Sequence, residues 1–187
     1  MRPVWMKDLK ARCLCRCDFQ KKGVSWRLFI SSDVLPEAVS LLDEAEYFLE
    51  DISCLDTADG FAVFYHFSLF TGPDRVALCV ILPHNGPEIP SIGSLYGGAL
   101  WHERETRDFF GIDFTGHPDM KPLLLPEEME GHPLVKAEKE RVPLRALLDQ
   151  GEIVLRDSDF LFFEEPDSPA GAPEPHGETP AANGGVS

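Results

Sequence analysis

The chain has 187 residues, 43% of them hydrophobic, and a formal net charge of −15, which is long enough for one domain with a sizeable core plus appendages. No apolar run approaches the roughly 18 residues of a membrane-spanning helix. The acidic balance excludes the clustered Lys and Arg that phosphate-backbone binding requires, so no nucleic-acid partner is expected, nor direct adsorption to anionic lipid.

The amino terminus shows no apolar segment followed by a small-residue cleavage site, so a cytosolic protein without a secretory signal is expected. Charge is uneven: residues 1–22 carry seven Lys or Arg against Asp8 and Asp18, a net of +5, which leaves −20 on the rest. That asymmetry predicts a basic, Cys-containing arm over residues 1–22, a docking feature beside an acidic body. Five cysteines is an odd number and does not suggest a disulfide framework. Cys13, Cys15 and Cys17 alternate in "RCLCRCD". They lack C-x-x-C spacing and a nearby fourth ligand, which favours an amphipathic arm over a zinc or iron–sulfur site.

From Trp26 the pattern is α+β. "SWRLFIS" predicts a strand, and Asp33 is placed to cap a helix through "LPEAVSLLDEAEYF" with Val34, Ala38, Leu41, Leu42 and Ala45 on one face. "YFLEDISCLD", "GFAVFYHFSLF" and "RVALCVILP" follow as strands, an antiparallel run with the turn residues of "TGPDR" between the last two. The implied fold is a small, largely antiparallel sheet with helices packed on it, over residues 23–114.

"SIGSLYGGALWHERETRDFF" predicts a helix capped by Ser91, with Ile92, Leu95, Tyr96 and Ala99 as its apolar stripe and Gly111 as its stop. The stripe continues through Glu103, Thr106, Arg107 and Phe110. Glu103 and Arg107 are spaced to pair, acid first; Arg104 and Asp108 repeat the spacing in the weaker order. From residue 115 to 163 a proline every few residues predicts an extended arm whose Leu123, Leu124, Leu125 and Leu134 have no periodicity with which to bury themselves. A surface of the same domain or of a partner must cover them. Residues 164–187 are rich in Pro, Gly, Ala and acid and predict a disordered tail.

The cluster Glu103, Glu105, Asp108, Asp113, His117 and Asp119 admits two readings. One is a metal or acid–base site, a stand-alone metalloenzyme using His102 and His117. The helix, however, lacks the H-E-x-x-H pair that places two histidines on one face. The other is a structural or interface ion pair between Glu103 and Arg107. The steps Gly116-His117-Pro118 and Gly131-His132-Pro133 read as turns. No phosphate cradle or nucleophile elbow is present.

The run from Trp101 to Asp119, "WHERETRDFFGIDFTGHPD", resembles the signature of the 30 kDa subunit family of respiratory complex I, the C-type subunit of bacterial NADH-quinone oxidoreductase. The matching positions are Trp101, Glu103, Arg104, Glu105, Arg107, Asp108, Phe109, Phe110, Gly111, His117 and Pro118. Lys121, Leu123, Leu124, His132 and Pro133 continue the pattern, and the resemblance covers residues 26–145. It departs from the family at Met129, where Trp is usual, and at Val135 and Ala137, where Arg and Asp are usual.

The resemblance implies a non-catalytic structural subunit of the peripheral arm that braces the quinone-site (49 kDa-type) subunit next to iron–sulfur subunits. It implies no catalytic, cofactor-binding or metal residue on this chain, with iron–sulfur clusters, FMN and quinone in partner subunits. It also implies a hetero-oligomer held peripherally at the cytoplasmic face of the cell membrane through those partners. The same family includes subunits of energy-converting nickel–iron hydrogenases, an alternative assembly whose partners carry a nickel–iron centre.

Overall fold

The structure is a computed structural model that describes residues 3–7, 9–149 and 151–160. The tail expected over 164–187 lies outside these residues. In chain order the elements are β1 (Cys13–Arg16), α1 (Phe19–Lys22), β2 (Trp26–Ile30), α2 (Leu35–Glu44), β3 (Phe48–Thr57), β4 (Gly60–Ser68), β5 (Arg75–Leu82), β6 (Glu88–Pro90), α3 (Ala99–Phe110), β7 (Asp113–Thr115), α4 (Leu144–Leu147) and β8 (Glu152–Arg156). The main sheet runs β3-β4-β5-β2-β1-β8, antiparallel throughout except for the parallel β2–β5 pair. Strands β6 and β7 form a separate parallel pair. This is the α+β architecture expected.

Period-two alternation sorts the sheet's side chains into two cores. In β4, Phe61, Val63, Tyr65 and Phe67 face one side with Leu28, Leu78, Val80 and the α2 residues Leu35, Ala38, Val39 and Leu42. Ala62 and Phe64 face the other, with Cys13, Cys15, Phe29 and Cys79. The main core is well filled, so trimming a side chain such as Leu42 to Ala costs about 2–5 kcal/mol. The β3–β4 hairpin turns at Gly60, where φ is +131° and a Cβ would lie 2.3 Å from the Leu82 carbonyl oxygen.

Three expectations change. Asp33 does not cap α2: a 3-10 turn over Ser32–Val34 precedes the helix, Val34 occupies the cap position, and Pro36 lies within the first turn. The helix expected from Ser91 begins eight residues later, at Ala99, and Leu95 of the expected stripe is exposed. The Gly97-Gly98 step before it lowers helix propensity. The Ser91 hydroxyl and Ile92 N–H are drawn to a side chain instead, as described below. Finally, part of the stretch expected as an arm over residues 1–22 lies in the sheet: β1 sits between β2 and β8, and Met6, Leu9 and Leu14 enter the main core.

Candidate functional site

Helix α3 packs against β3 and carries most of the signature residues. Ala99, Glu103 and Thr106 are buried on one face of the helix, and Asp108 is buried on the other side. Glu103 is fully buried. Its Oε2 accepts from Ser91 Oγ at 2.6 Å and its Oε1 from the Ile92 N–H at 2.8 Å. Burial pushes this carboxyl above its ordinary range, and the bonds from Ser91 and Ile92 and the nearby His117 offset part of that push. The carboxylate thus binds the non-helical segment 91–92 onto the helix. The ion pair expected between Glu103 and Arg107 does not form, because both carboxylate oxygens are already engaged. Arg107 instead donates to the Met120 carbonyl.

His117 stands 4.0 Å from Glu103 Oε2. Its Nε2 lies 3.1 Å from the Leu100 carbonyl and its Nδ1 accepts from the Asp119 N–H at 3.1 Å, which together select the Nε2–H tautomer. Among the described residues no group of three or more His, Cys, Asp or Glu side chains is placed to hold a metal ion. Both His117 nitrogens and both Glu103 oxygens are thus engaged with protein atoms.

The exposed side of α3 grips the segment that follows. Arg104 donates through Nε to the Lys121 carbonyl and through Nη2 to the Pro122 carbonyl, both at 2.8 Å. Its guanidinium also lies 5.6 Å from the ring centre of Trp101, within cation–π range. Asp108 Oδ2 accepts three consecutive amides, Leu123 and Leu124 at 2.8 Å and Leu125 at 3.2 Å. Burial alone would raise the Asp108 carboxyl, but the three amides and Arg104 outweigh it and hold it below the ordinary range.

The end of α3 is closed by the second Gly-His-Pro step. Gly111 adopts φ +74° and returns its N–H to the Arg107 carbonyl at 2.8 Å. The His132 ring lies over it, where a Cβ on Gly111 would come within 2.5 Å of the ring. His132 Nδ1 donates to the Asp108 carbonyl at 2.9 Å, and the Leu134 N–H to the Phe109 carbonyl at 3.1 Å. Both Gly-His-Pro steps therefore serve to fix chain direction against the helix, with Pro118 and Pro133 exposed outside it. Phe110 packs edge-on against Phe61 of β4 at 6.1 Å. Glu105 is exposed, and Lys121 pairs with Asp119 on the surface.

A second buried carboxylate, absent from the sequence reading, anchors the same segment farther along. Asp56 accepts from the Lys136 N–H at 2.7 Å, from Arg141 Nε at 3.0 Å and lies 2.8 Å from His84 Nε2. Burial works against its charge, yet the Lys136 amide, His84 and Arg141 prevail and lower its pKa. Asp59 then accepts the Leu144 N–H at 2.7 Å, and Ala58 donates to the Val142 carbonyl at 2.9 Å. The signal available in the sequence was the hairpin "DTADG", which gathers two aspartates beside a turn glycine.

Residues 120–144 thus form a strap whose main chain is bound to its own domain while much of its apolar side-chain surface is not. Leu124 is 60% exposed, Leu134 49% and Met129 47%, and Trp101 on the adjoining helix is 63% exposed. Farther on, the arm's apolar residues do find cover at home: Leu144, Leu148 and Phe160 pack on the second face of the sheet.

This geometry has relatives. Residues 28–142 match the family model for the respiratory-chain NADH dehydrogenase, 30 Kd subunit. The C-type subunit of NADH-quinone oxidoreductase from Roseiflexus sp. (strain RS-1) is 44% identical over 102 residues, which cover 53% of this chain and 56% of that relative. The chain therefore spans little more than half of that relative's length. The C-type subunit of F(420)H(2) dehydrogenase from Methanosarcina mazei is 34% identical over 123 residues, covering 64% of this chain and 78% of its own. Among solved structures, a chain of the membrane-bound sulfane sulfur reductase, an archaeal respiratory membrane complex, aligns over 76% of this chain and 84% of its own. Its TM-score is 0.61 at 18% identity, a likeness of fold.

Proposed function

Since the chain belongs to the 30 kDa subunit family of respiratory-chain NADH dehydrogenase, we propose that it is a non-catalytic structural subunit of a complex I-like NADH:quinone oxidoreductase. It braces the quinone-site (49 kDa-type) subunit and its iron–sulfur neighbours in the peripheral arm during redox-driven ion translocation. The observation that carries this reading is the strap: its backbone is stapled to Asp108 and Asp56, while Leu124, Met129 and Leu134 face outward beside Trp101. Apolar side chains held in fixed positions by an already satisfied main chain are pre-organised for a partner and lose little further entropy on docking.

The relatives' names give two electron donors, NADH and F(420)H(2), for subunits that share this chain's signature region. A role common to both is contact with the shared core of the complex, with donor oxidation left to other subunits. Iron–sulfur clusters, FMN and quinone belong in this reading to the partners. Among the described residues no helix is long and apolar enough to cross a membrane. The subunit would therefore sit peripherally at the cytoplasmic face, held by its partners.

The test is a pair of charge insertions on the outward face, Trp101→Glu and Leu124→Glu. The isolated protein should keep its melting temperature within about 2 °C, as exposed positions allow, while the amount of assembled complex on native gels falls severalfold. Normal assembly with both substitutions present would overturn the bracing role.

A further inference from the structure

The sheet face opposite α2 and α3 takes no part in that reading, yet it holds an unusual pair. Cys13 and Cys15 occupy alternate positions of β1 and point to the same side, with their sulfur atoms 3.6 Å apart. Both are fully buried, among Phe29, Ala62, Phe64 and Cys79 from the sheet and Leu144 and Phe160 from the late segment. None of the five cysteines is in a disulfide. We propose that Cys13 and Cys15 form a redox-modifiable vicinal dithiol, which a low-molecular-weight disulfide converts to an intramolecular disulfide, and that this oxidation loosens the cover provided by Leu144, Phe160 and β8.

Three observations support the pair as a reaction site. The sulfurs are already in contact, so closing the bond requires an approach of only about 1.5 Å to the covalent distance. A cavity of about 310 Å³, lined by Arg12, Phe29, Cys79 and Phe160 among others, brings a small reagent to the residues that surround the pair. The two thiols also differ in character: their mutual hydrogen bond pulls Cys13 below the usual thiol range against the push of burial, and Arg156 adds to that pull. The same bond, together with burial, drives Cys15 far above it. In the proposed step Cys13 attacks first.

The step balances by thiol–disulfide exchange. The Cys13 thiolate attacks one sulfur of the small disulfide and expels one small thiol, leaving a mixed disulfide. Cys15 then attacks the Cys13 sulfur and expels the second. Two S–H bonds of the protein are replaced by one S–S bond. The protein gives up two protons and two electrons, and the reagent is reduced to two thiols.

The consequence follows from strand geometry. Alternate residues of an extended strand are about 6.8 Å apart at the Cα atoms, the upper end of what a disulfide spans. Bond formation therefore shortens β1 locally. A close-packed interior does not deform smoothly, so the shift passes to the least anchored neighbour. That is β8, an edge strand exposed along its whole length, whose pairing with β1 is already irregular between Leu14 and Cys15.

The experiment incubates the native full chain with hydroxyethyl disulfide, alkylates the remaining thiols in denaturant and digests with trypsin. Cleavage after Arg12 and Arg16 isolates both cysteines in the tetrapeptide 13–16, with Cys17, Cys54 and Cys79 in three other peptides. The expected result is a tetrapeptide lighter by two hydrogens and unalkylated, restored by dithiothreitol. Amide exchange over residues 144–148 and 152–156 should quicken about tenfold alongside it. Cys15→Ser should abolish both changes and Cys79→Ser should preserve them; the wild-type tetrapeptide reads the bond directly should either variant fail to fold. A fully alkylated tetrapeptide, modification at Cys17 or Cys79 in its place, or oxidation without faster exchange would each overturn the proposal.

Discussion

Asp108 and Gly111 show how much of the architecture rests on single positions. One Asp108 oxygen satisfies three main-chain donors that no strand or helix could pair. Replacing Asp108 with Ala should destabilise the chain by about 1–3 kcal/mol near neutral pH, the range for stranding such donors, and Asn should fall between because its carbonyl oxygen still accepts. The folded pKa of Asp108 is depressed. Its contribution is therefore complete above the unfolded aspartate value of about 3.9 and is lost as pH falls through the lower folded value. Urea unfolding of wild type and Asp108→Ala across that range should converge toward acid. A gap that persists unchanged below about pH 3 would remove the carboxylate from the account. Glu103 has the opposite sign: its raised pKa makes its contribution complete below the unfolded glutamate value and smaller as pH rises. Gly111→Ala places a side chain in the left-handed region and against the His132 ring. It should cost about 1–2 kcal/mol from backbone strain alone, read as a lowered denaturation midpoint with unchanged slope.

At the scale of elements, the strap is held by the carboxylates of Asp108, Asp56 and Asp59, beside the bonds from Arg104 and Arg107. Asp56→Ala should free the stretch around Lys136 and Arg141 while Asp108 still holds residues 123–125. Limited trypsin digestion should then cut after Lys136 and Lys139 severalfold faster than in wild type; unchanged cleavage would mean the Asp56 hub does not hold the strap. The staples do not depend on the side chains at Met129, Val135 and Ala137. The grip at Lys136, Leu144 and Leu123–Leu125 is made by main-chain N–H groups, which every residue but proline supplies.

The same fact sets the limit of what the sequence disclosed. Strands β2 to β5 were legible because alternation of side chains records burial on two faces. The signature helix was legible because its residues are chemically distinctive. Its start was not, because Glu103 binds Ser91 and Ile92 outside the helix, and helical spacing carries no trace of such a bond. Strand β1 was hidden by the charges around Cys13 and Cys15, and β8 by its place after a proline-rich run. The "DTADG" hairpin marked Asp56 as a turn residue but not what it anchors, since an amide partner 80 residues away has no signature of its own.

For the whole molecule, two buried aspartates and a capped helix hold a strap whose Leu124 and Leu134 are exposed near Trp101, the surface that the proposed reading assigns to a partner. The measurement that tests this most directly is co-purification. The tagged protein is recovered from mildly solubilised membranes of its native host, as wild type and with Trp101→Glu and Leu124→Glu combined. The account predicts that wild type brings down the quinone-site subunit and iron–sulfur subunits in stoichiometric amounts. It predicts that the double variant, equally folded by thermal denaturation, brings down several times less. Wild type recovered alone, or a double variant that retains its full set of partners, would contradict it.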